Sequence, residues 1–311
     1  MQPYAIAGLQ LHLSSRESNM SHIRERLDHL MFLFPWVQMV ILSELAAKGP
    51  NPAHAESLPG PTEETFQRLA ERHGIWLVTG SMFEREKGKI YNTASVIEPS
   101  GNVATRYRKI FPFRPYETNV ESGESFCVFD VPEVGRFGVS ICYDMWFPET
   151  TRTLASMGAE VILHPSLTTT IDRQVELSIA RASAAMNQCF IIDINGVGDG
   201  GNGRSIIVGP AGDIQYEAGT AEELIPLEIN LERVRRGREF GLHGLGQQLK
   251  SFRDCTVPFN VYGPGDPSRT YLDTLGPLQK PQRGSRVGIE KRVENVDAAT
   301  TQAGAPPAQT T

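Results

Sequence analysis

Paired cysteines are the first thing this chain lacks. Its four cysteines, Cys127, Cys142, Cys189 and Cys255, lie far apart and form no Cys-x-x-Cys pair. That spacing argues against a zinc ribbon, a thioredoxin-type redox motif and a secreted disulfide framework. The seven histidines never fall into His-x-x-x-His or His-Glu-x-x-His spacing, so neither a metal site nor a cofactor is expected. Basic blocks are absent as well, and the net charge is −6, which disfavours a nucleic-acid partner. The longest apolar run, Leu30–Leu42, is broken by Pro35 and Gln38 and is too short to span a membrane. Tyr4–Leu13 has no basic flank and reads as a first strand rather than a signal peptide. No membrane association and a reducing, cytoplasmic setting are the resulting expectations.

What is present suits a folded α/β chain of 311 residues. Helices are expected at Ser21–Phe34, with Ser21 as N-cap, and at Thr62–His73, stopped by Gly74. Others are expected at Pro148–Met157, at Asp172–Asn187 with Val175, Ile179, Ala182 and Met186 on one face, and at Leu231–Arg238. Apolar or alternating strands fall between them, with turns at Lys87-Gly88-Lys89, Pro99–Asn102 and Pro210–Asp213. Early βα alternation followed by hairpins predicts mixed sheets covered by helices. Residues 1–255 read as one catalytic-sized domain and 256–278 as an arm that needs a surface to pack on. Residues 279–311 are too rich in Gly, Pro, Gln and Thr to fold alone.

Reactive groups recur where strands end. Arg136–Ile141 reads as a strand and Pro148-Glu149 as the first turn of a helix, so Cys142 sits at a strand-to-helix turn. By itself that cysteine reads most simply as a buried core thiol. Glu44 ends the strand Trp36–Leu42, and Lys109 opens a stiff loop rich in proline, aromatics and charge. Glutamate, lysine and cysteine are together the parts of a histidine-free thiol hydrolase. The ammonium favours the thiolate, the carboxylate takes the thiol proton and later activates water, and the lysine holds the developing oxyanion. The backbone N–H of Tyr143 is the natural second oxyanion donor.

With these residues placed, the sequence resembles the nitrilase superfamily of carbon–nitrogen hydrolases. The resemblance rests on Val40–Glu44, Tyr107-Arg108-Lys109, Gly138–Asp144 with Phe147-Pro148-Glu149, and Gly158–Ile162. It continues through Arg181-Ala182, Asn195–Gly198, Gly203-Arg204-Ser205 and Pro210–Asp213. The resemblance implies a four-layer α-β-β-α sandwich whose subunits pair through helices into a homodimer or larger homo-oligomer. It makes Glu44 the base, Lys109 the oxyanion stabiliser and Cys142 the nucleophile. Glu117, in Lys-x₇-Glu spacing, would position lysine and substrate. Ser43 departs from the family's usual proline, and Leu45 from the aromatic of aliphatic amidases.

Tyr143-Asp144 after the cysteine and the Lys-x₇-Glu spacing together favour amide cleavage of a small carboxamide through an S-acyl intermediate. A nitrilase with the same residues is the alternative, and a non-catalytic scaffold of this fold a remote one. Phe113, Tyr116, Trp146 and His164 are the candidate substrate-binding residues.

Overall fold

Strand β1 (Tyr4–Gln10) continues after one residue into β2 (His12–Leu13), and α1 (Met20–Leu33) leads to β3 (Met39–Leu42). Helix α2 (Pro61–His73) leads to β4 (Trp76–Val78), and then come β5 (Met82–Glu86), β6 (Lys89–Ile97) and β7 (Val103–Arg108). The second half holds β8 (Cys127–Val131), β9 (Gly135–Val139), α3 (Pro148–Ser156), β10 (Val161–Ser166) and α4 (Arg173–Asn187). After it come β11 (Phe190–Asn195), β12 (Val197–Gly198), β13 (Ile206–Val208), β14 (Ile214–Glu217) and β15 (Glu223–Ile229). Helices α5 (Glu232–Phe240), α6 (Gln248–Arg253) and α7 (Thr270–Asp273) finish the series. This computed structural model describes residues 3–262 and 270–280. Most of the expected tail and part of the expected arm therefore lie outside the described residues.

Two mixed sheets carry the fold. One has the order β15-β1-β3-β4-β6, with β5 continuing along the edge of β6 that β4 occupies and β7 along the other. The second has the order β14-β13-β11-β10-β9-β8. Alternation along the strands sorts side chains into layers, because successive residues point to opposite faces. Tyr4, Ile6, Met39 and Ile41 of the first sheet share one buried cluster with Phe137, Val139, Val161 and Leu163 of the second. Their neighbours Leu9, Val40 and Leu42 pack instead on Ile23 and Leu27 of α1 and Phe66 of α2. On the far side, Ile162 and Ile191 pack on Leu154 of α3 and on Leu177, Ala180 and Ala184 of α4. The layers thus run helix, sheet, sheet, helix. Gly8 lets the sheets approach closely, for a Cβ there would lie 2.2 Å from Ile194 Cδ1.

Contact density divides the chain into Met1–Phe113 with Glu117–Pro258, and Arg114–Tyr116 with Phe259–Thr311. The first unit holds both sheets. In the second, the described residues form a turn at Asn260–Tyr262 and α7, with Tyr271, Leu275 and Leu278 exposed.

Three local expectations are corrected. Helix α1 begins at Met20, and the residue ahead of it is Asn19 rather than Ser21. The Asn19 side chain joins Ser14 N–H to Ala46 C=O and caps nothing. Strand β10 extends through Pro165 to Ser166, because beyond Leu163 it pairs only with β11 and the missing N–H faces an unpaired edge. Helix α4 turns the expected apolar stripe outward, with Val175 47% and Met186 44% exposed. Its inner face combines small alanines with the buried Arg173 and Glu176, a mixture that a hydrophobic pattern does not mark as core.

Candidate active site

Glu44 stands two residues beyond β3, and its backbone N–H donates to Ser166 C=O at the end of β10 (3.1 Å). That bond ties the glutamate to the opposite sheet. Lys109 follows β7 directly; its N–H donates to Asn92 C=O (2.9 Å) and its C=O accepts Gly123 N–H (2.8 Å). Cys142 stands three residues beyond β9 and opens a single 3-10 turn, Cys142–Trp146. Each group therefore follows the C-terminal end of a strand. Two of these segments bend through left-handed backbone at non-glycine residues, with φ of +53° at Leu45 and +47° at Cys142. Such conformations persist only where surrounding structure enforces them, and they cluster at functional sites.

The side chains converge. Lys109 is 1% exposed, and its Nζ donates to Glu44 Oε1 (2.9 Å) and to Glu117 Oε2 (3.0 Å). An ammonium has three N–H donors, so two anchors fix where the third one points. Glu44 Oε1 also accepts from Asn92 Nδ2 (2.8 Å); the Cys142 thiol donates to Leu167 C=O (3.9 Å) and is close enough to the same carboxylate to influence its protonation. Glu117 Oε2 additionally accepts Phe113 N–H (2.5 Å), closing the loop between them.

Electrostatics follow from burial. Burial raises Glu44, against the lowering influence of Lys109. Burial also disfavours the charge on Lys109, but Glu44, Cys142 and Glu117 outweigh it and hold the ammonium well above its ordinary value. Burial and the nearby Glu44 charge push the Cys142 thiol well up, with Lys109 opposing. The resting pair is thus a thiol beside a carboxylate, and such a thiol can act as a nucleophile only by losing its proton. Unlike Cys127 and Cys189, Cys142 is partly accessible.

Supporting groups lie around the cysteine. Buried Asp144 accepts from Tyr107 Oη (2.7 Å), Ile141 N–H (2.9 Å) and Phe111 N–H (2.8 Å). Tyr143 N–H, second in the turn, has no acceptor within it, because the first N–H groups of any helical turn lack one. Glu176 of α4 accepts from Thr168 Oγ1 (2.9 Å), Arg173 Nη1 (3.1 Å) and Trp146 Nε1 (3.4 Å).

Of the pocket candidates, Phe113 packs edge-on to Tyr143 (5.0 Å), and the Trp146 ring lies 6.3 Å from the Tyr143 ring. His164 is 1% exposed inside β10. Its Nδ1 bonds Ser140 Oγ (2.7 Å), and burial lowers its pKa to about 3. It therefore supports the cysteine turn from within the sheet as a neutral ring. Tyr116 is exposed and groups with the second unit, so the cluster described above is built without it. Sequence reasoning passed over Asn92, Thr168, Arg173 and Glu176. Asn92-Thr93 does interrupt an otherwise apolar strand, whereas Glu176 reads as an ordinary solvated helix charge. Among the described residues, no cluster of His, Cys, Asp and Glu could hold a metal ion. No helix there is long and apolar enough to cross a membrane.

Comparison with known proteins bears on the fold and the family. Omega-amidase NIT2-A of Xenopus laevis is 34% identical over 60% of this chain and 73% of its own length. The crystal structure of Saccharomyces cerevisiae Nit3, a member of branch 10 of the nitrilase superfamily, superposes with a TM-score of 0.71 at 28% identity, covering 76% of this chain and 94% of that one. The carbon-nitrogen hydrolase from Helicobacter pylori G27 gives 0.70 at 26% identity, covering 83% and 97%. The carbon-nitrogen hydrolase family model matches residues 5–239, and with that match over most of its length this chain belongs to the carbon–nitrogen hydrolase family.

Proposed function

We propose that the protein hydrolyses the C–N bond of a small carboxamide through an S-acyl enzyme. The observation that carries this reading is the convergence of Glu44, Lys109 and Glu117 beside the strained, partly accessible Cys142. Cys142 Sγ bonds to the amide carbon as its proton passes to Glu44. The oxyanion is held by the third Lys109 N–H and by Tyr143 N–H. Glu44 then returns the proton to the leaving nitrogen, the C–N bond breaks, and ammonia or an amine departs. Water next yields a proton to Glu44 and attacks the thioester; the S–C bond breaks, the acid leaves and the thiol is restored. Lys109 stays charged throughout, and Glu117 keeps it in place.

The name of the omega-amidase relatives supports amides over nitriles. Part of the same reading is a cytoplasmic setting, which would keep Cys142 a free thiol. So is a homo-oligomer joined through the outward apolar stripe of α4.

Ammonia release from matched amides and nitriles tests the reaction, with intact mass after rapid quenching as the second readout. An acyl adduct on Cys142 from amides, and slower turnover of nitriles, is expected. Cys142→Ala is expected to lose both adduct and turnover, and Glu44→Gln and Lys109→Ala to lose about 10²–10⁴-fold in kcat. Equal or faster nitrile hydrolysis would make the protein a nitrilase. No adduct with any compound would make it a scaffold.

A further inference from the structure

The two oxygens of Glu44 are not equivalent. Oε1 accepts from Lys109 Nζ (2.9 Å) and from Asn92 Nδ2 (2.8 Å). A carboxylate oxygen offers about two lone-pair sites, so these donors saturate Oε1. Oε2 takes neither donor, which leaves it as the oxygen available for the thiol proton. Asn92 is completely buried in β6, and its backbone C=O also receives Lys109 N–H (2.9 Å). One residue therefore sets the main chain of the lysine and the carboxylate of the glutamate together.

We propose that Asn92 is a positioning residue that reserves Glu44 Oε2 as the proton-accepting atom of the reaction. The proposal rests on the catalytic roles assigned to Glu44 and Cys142 above. With the amide in place, the carboxylate plane is pinned at Oε1 by a neutral and a charged donor, and its free oxygen stays beside Sγ. Without it, the carboxylate turns about its terminal torsion, which is broad and only weakly restrained by itself. Proton transfer then loses the alignment that general-base catalysis needs.

A donor to the ionised form also favours that form. The charged and titratable groups facing Glu44 are Lys109, Glu117 and Cys142. Lys109 stays charged and Cys142 stays a thiol in the working range. Glu44 must be ionised to accept the proton, so activity falls as pH drops through its pKa. Removing the Asn92 donor raises that pKa and moves the acid limb of kcat/KM to higher pH. A residue with a merely structural role would leave that limb where it is.

The test compares Asn92→Ala, Asn92→Asp and Cys142→Ala with the unaltered protein on one turned-over amide, with thermal unfolding measured for each. Asn92→Ala is expected to lose about 10–100-fold in kcat with KM within about threefold, and to shift the acid limb upward. Asn92→Asp preserves shape, places a like charge against Glu44, and should shift the limb further; it decides the matter if the alanine variant does not fold. Activity within about twofold in both variants, or a loss with the acid limb unmoved, overturns the proposal. Turnover surviving in Cys142→Ala would overturn the catalytic roles themselves, a different result from an inert Asn92.

Discussion

Asp144 is the side chain on which three separate pieces of the site depend. Its carboxylate receives the hydroxyl of Tyr107 beside Lys109, the N–H of Ile141 before the cysteine, and the N–H of Phe111 in the loop that leads to Glu117. Even so, burial raises its pKa from 3.8 to about 6, with those hydrogen bonds opposing. The sign is opposite to that of a salt-bridged carboxylate. A folded-state pKa above the unfolded value means the folded protein binds the proton more tightly. Stability from this group is therefore greatest below about pH 4 and declines as pH rises toward 6, by about 3 kcal/mol in all. Asp144→Asn does not titrate. The stability of the unaltered protein relative to that variant, from urea unfolding at several pH values, should rise as pH falls from about 7 to about 4. A flat difference across that range would show that Asp144 does not titrate there. The variant also turns an N–H donor toward a backbone N–H, so kcat should fall even at pH 7.

At the scale of elements, the site is made by strand ends and held by the turns behind them. Gly80, between β4 and β5, has φ +71°, and a Cβ there would sit 1.9 Å from the carbonyl oxygen of Ser43. Only a residue without a side chain lets that bend press against the segment that carries Glu44. Gly80→Ala adds left-handed strain and a backbone clash, and is expected to cost about 1–3 kcal/mol of stability. It should also lower kcat more than the same loss of stability elsewhere, by displacing Ser43 and Glu44. Thermal unfolding and turnover measured on the same preparation separate the two effects. Elements of this kind explain what could be read in advance. Helix α2, the β5–β6 turn and β13 follow directly from local periodicity and turn chemistry. Cys142, Lys109 and Glu44 were legible because reactive side chains stood where strands ended. The buried polar residues Asn92, Arg173 and Glu176 were not, because burying a charged or amide side chain depends on partners distant in sequence. Arg173 meets Asp193 at 2.8 Å across twenty residues, and no local pattern announces that pairing. The same fact misled the reading of α4, whose core-facing side includes charge.

At the scale of the whole molecule, α4 connects an outer surface to the turn that carries Cys142. Its outward side presents Val175 and Met186, with Ile171 just before the helix 90% exposed. Exposed apolar side chains in one row are costly in water and are the usual mark of a protein–protein contact. Its inner side holds Arg173 and Glu176, and Glu176 bonds both Thr168 and Trp146 beside Cys142. A second copy of the chain seated on the outer row would restrain the helix that supports the turn. On this reading the unaltered protein runs as a multiple of its 34.3 kDa chain mass in light scattering coupled to size exclusion. Val175→Glu combined with Met186→Glu places charge within the row and at its far end and leaves every side chain of the site intact. The expected outcome is a shift toward monomer, with kcat lowered about 3–30-fold as Glu176 loosens its hold on Trp146, in the range of coupling carried by packed networks. A monomeric unaltered protein, or a double variant with unchanged mass, would place the contact surface elsewhere. Monomer with undiminished turnover would instead separate assembly from catalysis, and the row on α4 would then serve association alone.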